Sequence, residues 1–150
     1  MTTVERRATV AAPLDAVWSV LADFPGISRW ASNVDHSCSM TDTPTGIGAV
    51  RRIQTGRTTL LETVEVWDPG ATLSYSITGL PPVVRSVVTT WTLTTGSPDD
   101  RTDVAVRTDI DAGPRPPQQL IAKVIARKFG SAADEMLAGL AADVDRSVTS

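Results

Sequence analysis

The sequence predicts an α+β domain in which a curved antiparallel sheet is gathered against one long helix. Three observations predict it. From Gln118 to Arg146, apolar residues recur three or four apart, at Ile121, Val124, Ile125, Phe129, Ala132, Ala133, Met136, Leu137, Leu140, Ala141 and Val144. One face of a helix about 40 Å long is therefore oily. Between Val34 and Ile110 the period drops to two, and stretches rich in valine and threonine alternate with turn signals at hairpin spacing. Helical spacing before that region is confined to a short segment near the N-terminus, which leaves the helices on one side of the sheet.

Taken in order, Thr3–Val10 is expected to be a strand closed by Ala12-Pro13, with Pro13 in the first turn of a helix where its missing N–H costs nothing. Leu14, Val17, Trp18 and Leu21 share one face of that helix. Asp23-Phe24-Pro25-Gly26 ends it, because the residue before a proline avoids helical angles. Ile27–Ser32 can form one more helical turn carrying Trp30. Strands follow near Val34–Met40, Ala49–Thr55, Thr59–Trp67, Thr72–Thr78, Arg85–Thr95 and Asp103–Ile110. They are separated by Pro44-Thr45-Gly46, Gly56-Arg57, Asp68-Pro69-Gly70, Gly79-Leu80-Pro81-Pro82 and Gly96-Ser97-Pro98-Asp99-Asp100, each holding a residue that cannot continue a ladder or accepts positive φ. Gly113-Pro114-Arg115-Pro116-Pro117 stops the sheet and leads into the terminal helix.

A chain of 150 residues fits one domain, 1–150, large enough to bury a core without disulfide or metal. The net charge of −3, with bases scattered among acids, offers neither a nucleic-acid footprint nor a polybasic membrane patch. Cys38 is the only cysteine, which excludes an internal disulfide and suits a reducing compartment. No signal peptide and no apolar run of membrane-spanning length is visible, so a cytoplasmic protein without stable membrane insertion is expected. Neither cofactor nor metal is expected, and both monomer and homodimer stay open.

Alternation along the strands lists what faces the helix. Val87, Thr89, Trp91 and Leu93 oppose an almost wholly hydroxylated set, Ser86, Thr90, Thr92 and Thr94. By the same test Leu73, Tyr75 and Ile77 point in, as do Val104, Val106, Thr108 and Ile110. The inward list is apolar apart from Thr89, Thr108 and Tyr75, and suits either a solid core or a cavity with a few convergent polar groups. The Gly56-Arg57 hairpin brings Arg51-Arg52 opposite Glu62. A two-residue turn faces Arg51 to the glutamate and a three-residue turn faces Arg52; the sequence leaves the register open. The outcome is either a cross-strand salt bridge or an arginine at a cavity wall, able to bind a carboxylate or polarise a carbonyl.

Other constellations exclude chemistry. His36 is the only histidine, so triads and histidine-rich metal sites are absent. Cys38 alternates to the same side of its strand as His36, but neighbours two apart stand nearly 7 Å apart at the backbone and lack a group to orient the base. Gly46-x-Gly48 reads as turn geometry, and Asp99-Asp100 and Asp109-x-Asp111 as solvated charges rather than a calcium loop.

Several motifs in order resemble one known superfamily. They are Val10-Ala11-Ala12-Pro13 into Val17-Trp18, Asp23-Phe24-Pro25 with Trp30, Gly46-Ile47-Gly48 before Arg51-Arg52, and Glu62 to Asp68-Pro69 before Leu73-Ser74-Tyr75. Trp91-Thr92-Leu93 and Leu137-Ala138-Gly139-Leu140 complete the set. The chain is similar to the START-like, or SRPBCC, superfamily, and within it to the polyketide cyclase/dehydrase-like group. The resemblance implies the helix-grip fold: a seven-stranded curved sheet wrapped around the C-terminal helix, with two short helices after the first strand. It also implies a deep apolar cavity between sheet and helix. Relatives that are aromatase/cyclases use cavity arginine and aromatic residues, which carries over Arg52, Trp30 and Tyr75, with Arg52 and Tyr75 as the catalytic candidates.

The expected ligand-binding set is Trp30, Arg52, Tyr75, Ile77, Leu80, Thr89, Trp91, Thr108, Ile121, Ile125, Phe129 and Met136. The entrance is expected among the loops Phe24–Trp30, Gly79–Val84 and Gly113–Gln118. The expected function is binding of a hydrophobic small molecule: a lipid, a fatty acid or a polyketide-like metabolite. The alternatives are a polyketide aromatase/cyclase or dehydratase of the same fold, and a ligand-free interaction module. The inward set is too poor in ionisable groups to favour catalysis. Gly130, Gly139, Ala132 and Ala133 slim the middle of the long helix, either to let the sheet approach or to leave room for a ligand.

Overall fold

The computed structural model of the chain describes residues 1–96 and 100–149, with side chains of the terminal helix followed as far as Asp145. Ser97, Pro98 and Asp99 of the expected turn, and the side chain of Arg146, lie outside the described residues. The strands are β1 (Thr2–Val10), β2 (His36–Ser39), β3 (Val50–Thr55), β4 (Thr58–Asp68), β5 (Thr72–Thr78), β6 (Ser86–Thr95) and β7 (Thr102–Asp111). Helix α1 (Leu14–Ala22) and a 3-10 helix (Phe24–Arg29) follow β1, and α2 (Pro116–Thr149) ends the chain. All seven strands form one antiparallel sheet in the order β1-β7-β6-β5-β4-β3-β2. This is the helix-grip arrangement that the resemblance implied.

Three differences from the expected elements have simple causes. The helical turn expected over Ile27–Ser32 is a 3-10 helix over Phe24–Arg29, because Pro25 is accepted in its first turn, and Trp30 caps its end. The second strand is only His36–Ser39, because Val34 and Asp35 are drawn into the turn after the 3-10 helix, where the Val34 N–H donates to the Ala31 carbonyl. Val124, assigned above to the oily face, is exposed, as is Leu120. The buried stripe of α2 runs through Ala122, Ala126, Ala133, Leu137, Leu140 and Val144, and Val124 stands about 200° around the helix from Ala122.

The β3–β4 hairpin is closed by two residues, Gly56 and Arg57, with Thr55 paired to Thr58. Gly56 has φ +59°, as the first central position of a type II′ turn requires. That turn fixes the register that the sequence left open, pairing Arg51 with Glu62 and Arg52 with Leu61. On β4 the ladder shifts between Val64 and Val66, a bulge that bends the strand and helps curl the sheet.

The stripe of α2 changes size along its length. Its first half presents Ala122, Ala126, Gly130 and Ala133, and its second half Leu137, Leu140 and Val144. At the middle, a β-carbon on Gly130 would meet the Arg6 guanidinium and Val4 of β1. Further on, a β-carbon on Gly139 would collide with the Trp30 carbonyl oxygen. Both glycines therefore serve close approach, whereas Ala132 and Ala133 face open space described below. Replacing Gly139 by alanine gains up to about 1 kcal/mol of helix propensity but forces two backbones apart. Overpacking costs about 1–3 kcal/mol, so Gly139→Ala is expected to lower the urea midpoint. An unchanged or higher midpoint would show that α2 does not seat on Trp30.

Candidate functional site

A cavity of about 750 Å³ lies between the concave face of β3–β7 and the middle of α2. From the sheet it takes Ile53, Leu60, Glu62, Tyr75, Ile77, Thr89, Val106 and Thr108; from α2 it takes Ile125, Phe129, Ala132, Ala133 and Met136. Leu80 and Pro81 close one side, and Asn33 and Val34 another. The volume falls within the range of sites that hold drug-sized ligands. A second depression of about 680 Å³ on the outer face of the sheet is lined by Glu5, Arg7, Thr9, Thr92, Thr94 and Asp103 among others. Its lining is far more polar.

Of the residues expected to bind ligand, Tyr75, Ile77, Leu80, Thr89, Thr108, Ile125, Phe129 and Met136 line the cavity. Trp91 stands behind Tyr75 and donates its indole N–H to the Tyr75 hydroxyl at 3.1 Å. Trp30 packs edge-on against Trp91 with ring centroids 5.9 Å apart, so the two tryptophans support the wall rather than form it. Ile121 lies one turn of α2 before Ile125 and is outside the lining. Arg52 is on the opposite face of the sheet, where its guanidinium reaches the Thr59 hydroxyl at 3.5 Å. The hairpin register is the reason: alternation turns Arg51 and Ile53 inward and Arg52 outward.

Arg51 takes the inward place. Its Nε and Nη2 each lie 2.7 Å from Glu62 Oε1, and Nη1 donates to the Phe24 carbonyl at 2.9 Å. The guanidinium carbon stands 3.9 Å from the centre of the Phe24 ring and 4.7 Å from that of Tyr75. The cross-strand salt bridge considered from the sequence thus forms, and it forms out of water, with the two side chains 3% and 4% exposed. Desolvation of two ions is offset here by two hydrogen bonds, a second close ion-pair contact and two aromatic rings.

Tyr75 lines the cavity yet is shielded from bulk solvent, at 1% exposed. Burial above all, with the Glu62 carboxylate adding to it, raises its phenol from 10.0 to about 12, against the opposing pull of Arg51 and the Trp91 hydrogen bond. The hydroxyl therefore keeps its proton at neutral pH, and no described residue accepts that proton. Thr89 and Thr108 hydrogen-bond each other at 2.9 Å. The side-chain amide of Asn33 makes no hydrogen bond within the described residues, and its Oδ1 is buried. His36 and Cys38 are exposed on the edge strand, away from the cavity. No cluster of three or more potential metal ligands occurs among the described residues.

The mouth is narrower than the three loops named from the sequence. Its exposed lining residues are Thr58, Pro81, Arg127, Lys128, Ser131 and Glu135. Phe24 and Trp30 are instead locked in the core, and Gly113–Gln118 folds back on itself, Asp111 accepting from the Gly113 N–H and Gln118 from the Arg115 N–H. Ile53 and Leu60 were not anticipated as lining; alternation yields both once the two-residue turn is known. Asn33 carries no such periodic signal.

The family model described as "Polyketide cyclase / dehydrase and lipid transport" matches residues 1–145. The chain belongs to that family. Among solved structures, the ZhuI aromatase/cyclase from Streptomyces sp. R1128 is 20% identical and superposes with a TM-score of 0.80, covering 98% of this chain and 95% of its own. A protein from Thermobifida fusca is 25% identical with a TM-score of 0.75, covering 97% and 95%. A START superfamily protein from Mycobacterium smegmatis is 14% identical with a TM-score of 0.74, covering 96% and 97%. No curated protein sequence matches the chain. For this member of the cyclase/dehydrase and lipid transport family, such neighbours establish the START-like fold, and no described helix is long and apolar enough to cross a membrane.

Two predictions follow from the site geometry. Tyr75 is the only tyrosine, so near-ultraviolet phenolate absorbance titrates it alone and should rise near pH 12 rather than 10. Since its folded pKa lies above the unfolded one, the associated stability is intact below pH 10 and is lost as pH rises toward 12. Over that window the loss is on the order of 2–3 kcal/mol relative to a Tyr75→Phe control. Arg51→Met should destabilise by about 3–5 kcal/mol in urea unfolding because Glu62 is left buried and unpaired, and Arg51→Met with Glu62→Met should recover much of it. Equal losses in the single and double variants would contradict the coupling.

Proposed function

We propose that the protein holds a hydrophobic small molecule, of lipid-like or polyketide-like character, in the cavity between sheet and α2. The single observation that carries this reading is the roughly 750 Å³ of mostly apolar space, open to solvent at one side, which a protein built only for stability would fill. Phe129 and Met136 supply adaptable lining, and the Tyr75 hydroxyl supplies an oriented donor for a ligand oxygen. The family description, which joins cyclase, dehydrase and lipid transport, is compatible with such a ligand. A cytoplasmic carrier fits an exposed, unpaired Cys38.

A second reading, a cyclase or dehydratase, draws support from the Tyr75 hydroxyl, which could polarise a substrate carbonyl. The chemistry of the wall weighs against it. Cyclisation of a poly-carbonyl chain needs a group to remove a proton from carbon; the lining includes neither histidine nor cysteine, and its carboxylate Glu135 is exposed to solvent at the rim. Glu62 is committed to Arg51, and a phenol at about 12 is no base at neutral pH. Carriage without turnover is the reading that these residues support best.

Native mass spectrometry of the purified protein, followed by solvent extraction, tests it: an apolar molecule should co-purify and be recovered. Leu80, half-buried at the cavity edge, provides a second test. Leu80→Asp should weaken binding of the neutral dye Nile red about tenfold, while unfolding free energy falls by less than about 1 kcal/mol. Unchanged dye affinity in this variant would remove Leu80 from the entrance.

A further inference from the structure

Resting on the binding reading above, we infer that Glu62 makes the cavity selective for neutral ligands, by standing between the ligand space and Arg51 and denying the arginine to carboxylates. The Arg51 guanidinium is held within the protein: Nε and Nη2 on Glu62 Oε1, Nη1 on the Phe24 carbonyl, and the rings of Phe24 and Tyr75 packed against its carbon. Glu62 lines the cavity and Arg51 does not. A ligand in the cavity therefore meets the carboxylate side of the pair first.

An ionised fatty acid whose head reached the sheet side of the cavity would lose its water, face the Glu62 carboxylate, and find no cation there, because Arg51 lies outside the lining. Specificity of this kind works by penalty against the wrong ligand as much as by attraction to the right one. An alcohol, ketone or ester faces no such charge and can accept from Tyr75, whose hydroxyl proton is unclaimed by described residues. Arg127 and Lys128, on the α2 side of the lining, are exposed, so a charge that meets them keeps its water and the attraction is screened by salt. The ligand class is thus a neutral, oxygen-bearing apolar molecule, not a free fatty acid.

The test is displacement of Nile red at neutral pH by three probes of equal chain length: dodecanol, dodecylamine and dodecanoate. In the unmodified protein dodecanol should displace at the lowest concentration and dodecanoate at a concentration at least about tenfold higher. Dodecylamine should fall between them, because both ions lose hydration but only the carboxylate faces a like charge. In Glu62→Gln, which keeps the side-chain shape and uncovers an uncompensated Arg51, dodecanoate should gain about tenfold or more while dodecanol changes little. Carboxylate binding as tight as the alcohol or the amine in the unmodified protein would overturn the inference, whether or not the variant folds. So would a folded Glu62→Gln protein that shows no gain for dodecanoate. Failure of Nile red and all three probes to bind would instead overturn the cavity reading, and this inference with it.

Discussion

The ion pair of Arg51 and Glu62 is the constraint around which the concave face is arranged. Two charges almost wholly out of water are tolerable only if each keeps its partner, and meeting that condition ties several elements together. β3 supplies the arginine, β4 the glutamate, the 3-10 helix the Phe24 carbonyl, and β5 the Tyr75 ring. Tyr75 is in turn held by Trp91 of β6, and Trp91 by Trp30. A chain of oriented side chains thus runs across the sheet from β3 to β6 and up to α2, where Gly139 receives the Trp30 backbone. Moving any one link would leave a buried charge or donor without its partner, which costs more than an ordinary apolar contact.

The cavity exists because α2 is not uniform. Its second half fills the space under α1 and the 3-10 helix with Leu137, Leu140 and Val144, while its middle stands on β1 through Gly130 and turns Ala132 and Ala133 toward the sheet centre. A helix with leucine at those alanines would close the space and gain apolar burial of the order of 1–3 kcal/mol per side chain. Keeping them small forgoes that stability, in line with the general conflict between a filled core and a binding site.

Much of this arrangement was legible before any coordinates. Alternation on β5, β6 and β7 assigned Tyr75, Ile77, Thr89, Trp91, Val106 and Thr108 inward, and all are buried. It worked because each of these strands has one polar side, serine and threonine on β5 and β6 and aspartate and arginine on β7, which makes the period unmistakable. On α2 the same method erred at Val124, since spacing by three or four spreads a long list over too wide an arc for every member to face the sheet. Asn33 was invisible because it sits in an irregular turn with no period to read.

The sequence by itself determined the elements, their antiparallel order around a terminal helix, and the composition of the concave face, because these follow from local periodicity and turn chemistry. Tertiary structure decided which arginine faces the cavity, since a one-residue difference at the Gly56-Arg57 turn exchanges Arg51 for Arg52 and moves a charge to the other side of the sheet. It also decided that the space beneath α2 is hollow. Both depend on how backbones separated by dozens of residues approach one another, and no local pattern encodes that distance.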